Sequence, residues 1–398
     1  MNRVVLGDIA EIITGPFGSM LHKSDYVEEG FPLVMPQDIG DRIINFDSIA
    51  QISEIDAIRL EKYEAVENDI IYARRGDVEK HAFVVSEYGK IFCGTGCLRV
   101  RVNPEKANPL FISFYLSRPE CREWISKHAV GSNMPNINTE ILSDVPIELP
   151  DKAQQQKVVD FLSATERKIL HNRKINDNLE QMANQLYEYW FIQFQFPNND
   201  NNPYKLSGSP MVYNSLLKIE IPEGWRVKTV ASLLDKVPNT LRVQNAEYKS
   251  SGNIPIVDQS ASLIAGYTDN IDALLSDEHG YIVFGDHTRV VKYIRFPFAR
   301  GADGTQILKS SLSCMPTELL YNTITHIDLS NQGYARHFKF LKDSLVIVPN
   351  DDIAQKFAVQ VSIWHEQQKQ LLFENMKLSK LRDWLLPMLM NGQATIDD

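Results

Sequence analysis

Cysteine is scarce in this chain: Cys93, Cys97, Cys121 and Cys314 are the only four in 398 residues, at irregular spacings. That speaks against a disulfide framework or a paired zinc-ligand motif and leads us to expect a reducing, cytoplasmic setting. No uncharged apolar run approaches the ~18–20 residues that cross a bilayer. The opening residues, MNRVVLGDIAEI, lack the basic-then-apolar pattern of a secretory signal. A phosphate-cradling GxxxxGK[ST] loop is missing, so ATP is not expected on this chain. A surplus of positive charge is missing too. The net charge is −10, whereas nucleic-acid binders commonly carry a basic footprint. The deficit is local, because residues 1–150 hold 15 Lys/Arg against 23 Asp/Glu and residues 225–349 hold 13 against 12. Any grip on DNA must come from local basic patches, with a more basic partner supplying much of the phosphate affinity.

What is present is a long internal repeat. Residues 142–191 and 341–390 align at a constant offset of 199 residues: Pro150 meets Pro349, Gln156 meets Gln355, Asn176 meets Asn375, Leu179 meets Leu378 and Leu186 meets Leu385. Each copy opens with a strand-like run ending in proline, VPIELP and then LVIVP. Apolar residues then follow in alternating steps of four and three, which predicts a helix with a heptad-like seam. In the first copy the seam runs Val158, Leu162, Ile169, Leu179, Met182, Leu186 and Trp190. In the second it runs Phe357, Val361, Trp364, Leu371, Leu378, Leu381 and Leu385. About 40 residues make each helix roughly 60 Å long, and neither can bury such a stripe alone. The economical arrangement packs the two on each other as an antiparallel coiled coil. Asn176 and Asn375 sit at matched seam positions, either to fix the register or to face solvent where the seam drifts.

The regions between the repeats differ in sequence. Residues 1–150 contain alternating runs such as DIIYARRG and CLRVRV with a helical stretch near 108–127. Residues 223–349 contain GYIVFGDH and VVKYIRFPFARG with a helical stretch near 315–326. Both read as mixed α and β globules. The predicted class is α+β: globule (1–150), helix (151–195), linker (196–222), globule (223–349), helix (350–398), in a pseudo-two-fold internal repeat. Repeated scaffolding around divergent globules suggests two readers with different targets.

This organisation resembles the specificity subunit of type I restriction–modification enzymes, over nearly the whole chain. LGDIAEIITGPFGS (6–19), IYARRGDVEKHAFV (71–84) and VGSNMPNINTEILSDVPIELP (130–150) are similar to parts of that family's target-recognition domains. KINDNLEQMANQLYEYWF (174–191) and ENMKLSKLRDWLLPMLMNGQ (374–393) resemble its two helical regions, and IPEGW (221–225) the entry to its second recognition domain. VFGDHTR (283–289) and FPFARGADGTQIL (296–308) are similar to one class of those domains. The resemblance implies double-stranded DNA as ligand and a bipartite, asymmetric site, with one half-site per globule and the helix pair setting the gap. It also implies docking to two methyltransferase subunits and, in a full enzyme, to motor-nuclease subunits. S-adenosylmethionine, ATP and Mg would then sit on those partners, and no cofactor or metal on this chain.

Three near-misses bear on the alternative, a stand-alone DNA methyltransferase or nuclease; a purely structural helical scaffold is a second rival. Phe92–Gly96 matches F-x-G-x-G, a methyl-donor loop, yet no Asn/Asp-Pro-Pro-aromatic motif accompanies it; a tight turn is the plainer reading. Pro150, Asp151, Glu166 and Lys168 mimic PD…ExK, but Glu166 and Lys168 fall mid-helix, where residues two apart diverge. His365–Lys369 fails HExxH for want of the second histidine. For DNA contact, arginine reads guanine and asparagine or glutamine reads adenine. The candidates in the first globule are Arg74, Arg75, Lys80 and His81, with Ser132, Asn133, Asn136 and Asn138 in a second loop. In the second globule they are His287, Thr288, Arg289 and Lys292, then Arg336, His337 and Lys339. A solvated surface charge is the alternative at each. Leu162, Ile169, Asn176, Leu179, Leu186, Val361, Leu371, Asn375, Leu378 and Leu385 are expected in helix packing.

Overall fold

The structure, a computed structural model, describes residues 2–131, 134–330, 336–390 and 394, with Lys23 as backbone only. It is α+β, with two mixed globules and two long helices, Lys152–Tyr187 and Asp351–Met390. By internal contacts it divides into two compact units, residues 1–169 with 376–398, and residues 170–375. The boundary cuts through both long helices, so each unit is one globule clasped by half of each helix.

In the first unit one sheet has the order Ala10–Thr14, Cys97–Val102, Asp69–Ala73, His81–Phe83, with every neighbour antiparallel. Asp69–Ala73 reads DIIYA and is buried throughout, as a strand covered on both faces must be. A second sheet has the order Tyr26–Val27, Ala50–Ile52, Phe31–Val34, Ile91–Cys93, Glu64–Ala65, its third and fourth strands parallel. The stretch expected as one helix over 108–127 is two, Pro109–Leu116 and Pro119–His128. Pro119 has no amide hydrogen and fits only a first helical turn. Asn108 starts the earlier helix, its Oδ1 accepting from the amides of Leu110 (3.0 Å) and Phe111 (3.2 Å).

The second unit repeats this connectivity in shortened form. One sheet has the order Val291–Ile294, Tyr281–Gly285, Thr305–Leu308, and the other Gly266–Thr268, Ile254–Val257, Phe298–Arg300, Leu274–Leu275, again with its middle pair parallel. In both units the strand before the long helix pairs antiparallel with the globule's first strand: Asn2–Val5 with Pro146–Leu149, and Arg226–Thr229 with Leu345–Val348. Residues 196–222, expected as a linker, hold a hairpin of Met211–Asn214 and Ile219–Pro222. Phe196 stacks between Tyr204 (4.5 Å) and Trp225 (4.7 Å), tying this segment to the second globule's core.

Helix packing is antiparallel within each unit. In the second, Asn172 meets Asn375, Asn176 meets Gln368, and Ala183 and Tyr187 share a core with Val361 and Phe357. In the first, Val158 and Leu162 share a core with Leu386, Leu389 and Met390. Ile169 and Leu179 are also buried; Leu186, Leu371, Leu378 and Leu385 are half-buried. The predicted seam fails at two positions. Met182 is 44% exposed and Leu381 42%; next to Met182, Ala183 turns inward, and past Leu381 the burial resumes only at Leu386. A straight helix gains about 20° per heptad on a strict seven-residue repeat, and the buried stripe moves to the next residue. The matched asparagines do not face each other either. Asn172 is fully buried and donates to Glu374 Oε2 (2.7 Å) and Asn375 Oδ1 (2.9 Å), whereas Asn176 offers its backbone carbonyl to Gln368 (3.2 Å).

Candidate nucleic-acid interface

Strands Ala10–Thr14 and Asp69–Ala73 flank Cys97–Val102 antiparallel to it, so both end where that strand begins. The turn at residues 94–97 ties the two exits together: the Gly15 amide donates to the Cys97 carbonyl and the Arg74 amide to the Gly96 carbonyl, each at 2.9 Å. A Cβ on Gly15 would come within 2.2 Å of the Gly94 oxygen, so only glycine fits that exit. The loop after residue 130 joins the same end. Ile137 N donates to the Arg74 carbonyl (3.0 Å), Gly76 N donates to the Pro135 carbonyl (3.1 Å), and Arg75 bridges Asn136 through the backbone. Two loops that sequence reasoning chose separately are thus one surface. Arg75 is exposed on it, with Arg74 and Asn136 half-buried. Ser132 and Asn133 lie outside the described residues. Asn138 stands apart as a helix cap, its Oδ1 accepting from the Ile141 amide (2.8 Å).

Two members of the first cluster need correction. His81 is 1% exposed, stacked on Tyr72 at 5.2 Å with Nε2 within 3.1 Å of the Ser113 carbonyl and hydroxyl. Burial, with Arg42 and Arg122 nearby, pushes its pKa down to about 3. It is a neutral core residue that reaches no ligand. Lys80 is half-buried and pairs with Asp77 at 2.7 Å, three residues away, which leaves little positive field for a phosphate.

The second unit builds a matching surface. Asp286 follows strand Tyr281–Gly285, is buried, and organises what surrounds it. Its amide donates to the Gly304 carbonyl (2.8 Å), its own carbonyl accepts from the His337 amide (3.0 Å), and its Oδ1 accepts from the Phe338 amide (2.8 Å). That caps helix His337–Asp343 from a remote loop and sets exposed Arg336 and Lys339 beside the 287–289 turn. Gln259 braces the turn, with Oε1 accepting from the His287 amide (3.2 Å) and its carbonyl from Thr288 Oγ1 (2.7 Å). Arg289 sits at φ 62°, a left-handed conformation that the turn imposes on a non-glycine. One guanidinium nitrogen of Arg289 donates to the Leu329 carbonyl (3.2 Å). His287, Thr288 and Arg289 are exposed. Lys292 and His337 are not. Lys292 is 6% exposed and donates to the carbonyls of Asp258 (2.8 Å) and Ser262 (2.5 Å), with its pKa lowered by burial. His337 is buried, with Nδ1 3.0 Å from the Asp286 carbonyl. Sequence reasoning missed Gln259 and Asp286, which place the basic residues; an isolated polar residue after a strand gives no signal of that role. It also missed Arg300, which is half-buried, bonded to the Thr305 carbonyl (2.9 Å) and pushed down to about 10 by burial and by Arg242.

The globules are held on the helices by different chemistry. In the first unit Arg42 lies over the Phe114 ring (3.5 Å), donates to Ser113 Oγ (3.1 Å) and forms an ion pair with Glu166 (2.5 Å), which Arg382 approaches at 3.8 Å. In the second, the Tyr321 hydroxyl donates to Glu180 (2.9 Å), with His365 packed edge-on against Tyr293 (4.7 Å). Among the described residues no group of three or more His, Cys, Asp or Glu could hold a metal ion, and no helix is long and apolar enough to cross a membrane.

Residues 1–181 match the family model described as the type I restriction modification DNA specificity domain. The chain is 26% identical over 304 residues to the type I restriction enzyme MjaIX specificity subunit of Methanocaldococcus jannaschii, covering 69% of this chain and 67% of that one. It is 27% identical over 193 residues to the type I restriction enzyme HindI specificity subunit of Haemophilus influenzae, covering 48% of this chain and 40% of that one. Its fold is that of a solved type I restriction-modification S subunit from M. genitalium, at a TM-score of 0.58 and 15% identity over 100% of this chain and 96% of that one. The first half of the chain thus matches a type I restriction modification DNA specificity domain, and most of its length is similar to type I restriction enzyme specificity subunits.

Proposed function

We propose that this chain reads a split, non-palindromic duplex, one half-site per globule, and carries no catalytic step itself. Methyl transfer to an adenine flipped from the stack would belong to two docked methyltransferase subunits holding S-adenosylmethionine. Cleavage, in a full enzyme, would belong to motor-nuclease subunits using ATP and Mg. The observation that carries the reading is the matched pair of loop surfaces. In each globule, equivalent strands end together and present basic residues: exposed Arg75 beside half-buried Arg74 in one, and exposed Arg289, Arg336 and Lys339 from two segments in the other. Arginine in a braced loop suits guanine edges and phosphates. The excess of acid in residues 1–150 favours a partner that supplies further phosphate contacts.

The near-miss motifs support the non-catalytic side. Gly94 sits in a turn where a Cβ would come within 2.5 Å of the Val34 oxygen, and Cys93 is fully buried, so Phe92–Gly96 is closed by the protein's own backbone. Glu166 is committed to Arg42. The test is to co-purify the chain with its methylating partner and map methylated adenines on genomic DNA. One split, asymmetric consensus is expected. Methylation without sequence preference would refute the reading.

A further inference from the structure

Phe17 is the odd residue of the first globule. It is 58% exposed, yet the loop that carries it is tied down at both ends. On the entry side, the Gly15 amide bonds to Cys97 beside the turn that also holds Arg74. On the exit side, the Met20 amide donates to the Phe17 carbonyl (2.8 Å), the Met20 carbonyl accepts from Arg59 (2.6 Å), and Leu21 is buried beside Leu33, Leu60 and Tyr63. Such a loop has the means to tuck an aromatic ring inward and instead holds it out. Ordering an exposed ring brings no burial energy to the folded chain alone. The next residue adds a second observation. A Cβ on Gly18 would meet nothing within 4 Å, and its backbone is not left-handed. Neither packing nor conformation within the chain requires glycine there, whereas close approach of an outside molecule would. Met134, 63% exposed, adds apolar surface on the neighbouring loop.

We infer that Phe17 is an apolar wedge that presses between base pairs of the half-site read by the first globule, with bare Gly18 allowing the backbone to approach the duplex. The inference rests on the proposed DNA-reading function. Proteins that bend or open duplexes use such apolar wedges between base steps, exchanging lost base stacking for ring contact and a distorted duplex that fits the protein. Phe17 leaves the sheet at the end that carries Arg74 and Arg75, so phosphate or base-edge contacts and the wedge would act together. Among the described residues, the second globule's sheet has no fourth strand in the place of Ala10–Thr14.

The experiment uses the full chain with its co-purified methylating partner and a random-sequence duplex pool, from which wild type and Phe17→Ala each select a consensus. Phe17 is exposed, so the variant should fold with an unchanged melting temperature. Phe17→Ala is expected to bind the wild-type consensus at least about tenfold more weakly, to lose preference at one or two adjacent base pairs of a single half-site, and to keep its affinity for random DNA. A 2-aminopurine placed at those base pairs should brighten on binding wild type and not on binding the variant; Gly18→Ala should weaken specific binding as well. If wild type selects a consensus and Phe17→Ala selects the same one with equal affinity, the wedge is wrong and the reading function stands. A loss of affinity equal for all duplexes also overturns the wedge, leaving only general grip. If wild type itself selects nothing, the reading function falls and the wedge with it.

Discussion

The two globules have one connectivity and are fastened to the helices by opposite chemistry. The first uses an ion pair between the buried Arg42 guanidinium and half-buried Glu166, reinforced by that guanidinium's place over Phe114. The second has no ion pair there among the described residues and uses a hydrogen bond from the Tyr321 hydroxyl to the Glu180 carboxylate, beside stacked tyrosines and a buried histidine. Topology is therefore the conserved part of the duplication, and the side chains at the fastening point are free to change. The reading surfaces differ likewise. The first presents Arg75 with apolar Phe17 and Met134, and the second presents His287, Arg289, Arg336 and Lys339 around a buried aspartate.

The sharpest way to break this contrast is to neutralise each glutamate. Glu166→Gln leaves the Arg42 guanidinium buried without its counter-charge, a loss of about 3–5 kcal/mol for a buried pair broken on one side. Glu180→Gln keeps an acceptor for Tyr321 and should lose only about 1 kcal/mol. Urea unfolding followed by hydrogen exchange separates the two units. Equal destabilisation by both variants would mean that the fastenings do not differ in kind.

Acid offers a second separation. The His81 pKa is pushed from 6.5 to about 3. Between those values the unfolded chain binds a proton that the folded one refuses. The first unit should therefore lose stability as pH falls below about 6.5, by up to about 1.4 kcal/mol per pH unit. Exchange protection in strand Asp69–Ala73 should fall accordingly, and His81→Gln should flatten that slope. In the second unit burial also lowers the pKa of His365, which sits on the long helix, so the acid response there should centre on the helix instead of the sheet. A first-unit slope that survives His81→Gln would remove the histidine as its cause.

At the reading surfaces, Arg75→Ala and Arg336→Ala should each weaken specific binding by about 1–3 kcal/mol if the arginine touches a base, and each should relax a different half-site. Affinity for random duplexes would fall much less. A variant that weakens all sequences evenly would mark its arginine as a phosphate contact. The same half-site relaxed by both would end the one-globule, one-half-site assignment.

What could be read in advance follows from what is local. The 199-residue register located both long helices and the strand before each, because periodicity and a terminal proline are properties of contiguous sequence. The exit loops with Arg74, Arg75, His287 and Arg289 were legible as polar turns after apolar runs. The fates of His81, Lys292 and His337 were not, since each depends on a partner far along the chain: Ser113 is 32 residues from His81, and Asp286 is 51 from His337. A basic residue beside a strand looks the same in sequence whether its nitrogen meets water or a buried carbonyl. The seam is right in kind, slips by one residue at Met182, where helical drift outweighs the heptad, and leaves Leu381 exposed. The hairpin in 196–222 was hidden by its asparagines and prolines, which mark turns without saying what lies between them.

The smallest expected effect probes the polar layer in the helix pair of the second unit. Asn172 is fully buried and bonded to Glu374 and Asn375 across the pair. A polar residue at a seam lowers stability and raises specificity, since only one register satisfies its hydrogen bonds. Asn172→Leu should therefore shift unfolding by less than about 1 kcal/mol in either direction, the apolar gain offsetting the lost bonds. Register should respond more than stability. Gln368 lies against Asn176 in the native pairing, so cysteines introduced by Gln368→Cys and Asn176→Cys should form a disulfide with Asn172 intact. Gln368→Cys with Ala183→Cys, one heptad along, should cross-link only in the Asn172→Leu background. If the slipped pair never forms, apolar packing at Leu179 and Val361 alone holds the register, and the asparagine is a donor to Glu374 and Asn375 and nothing more.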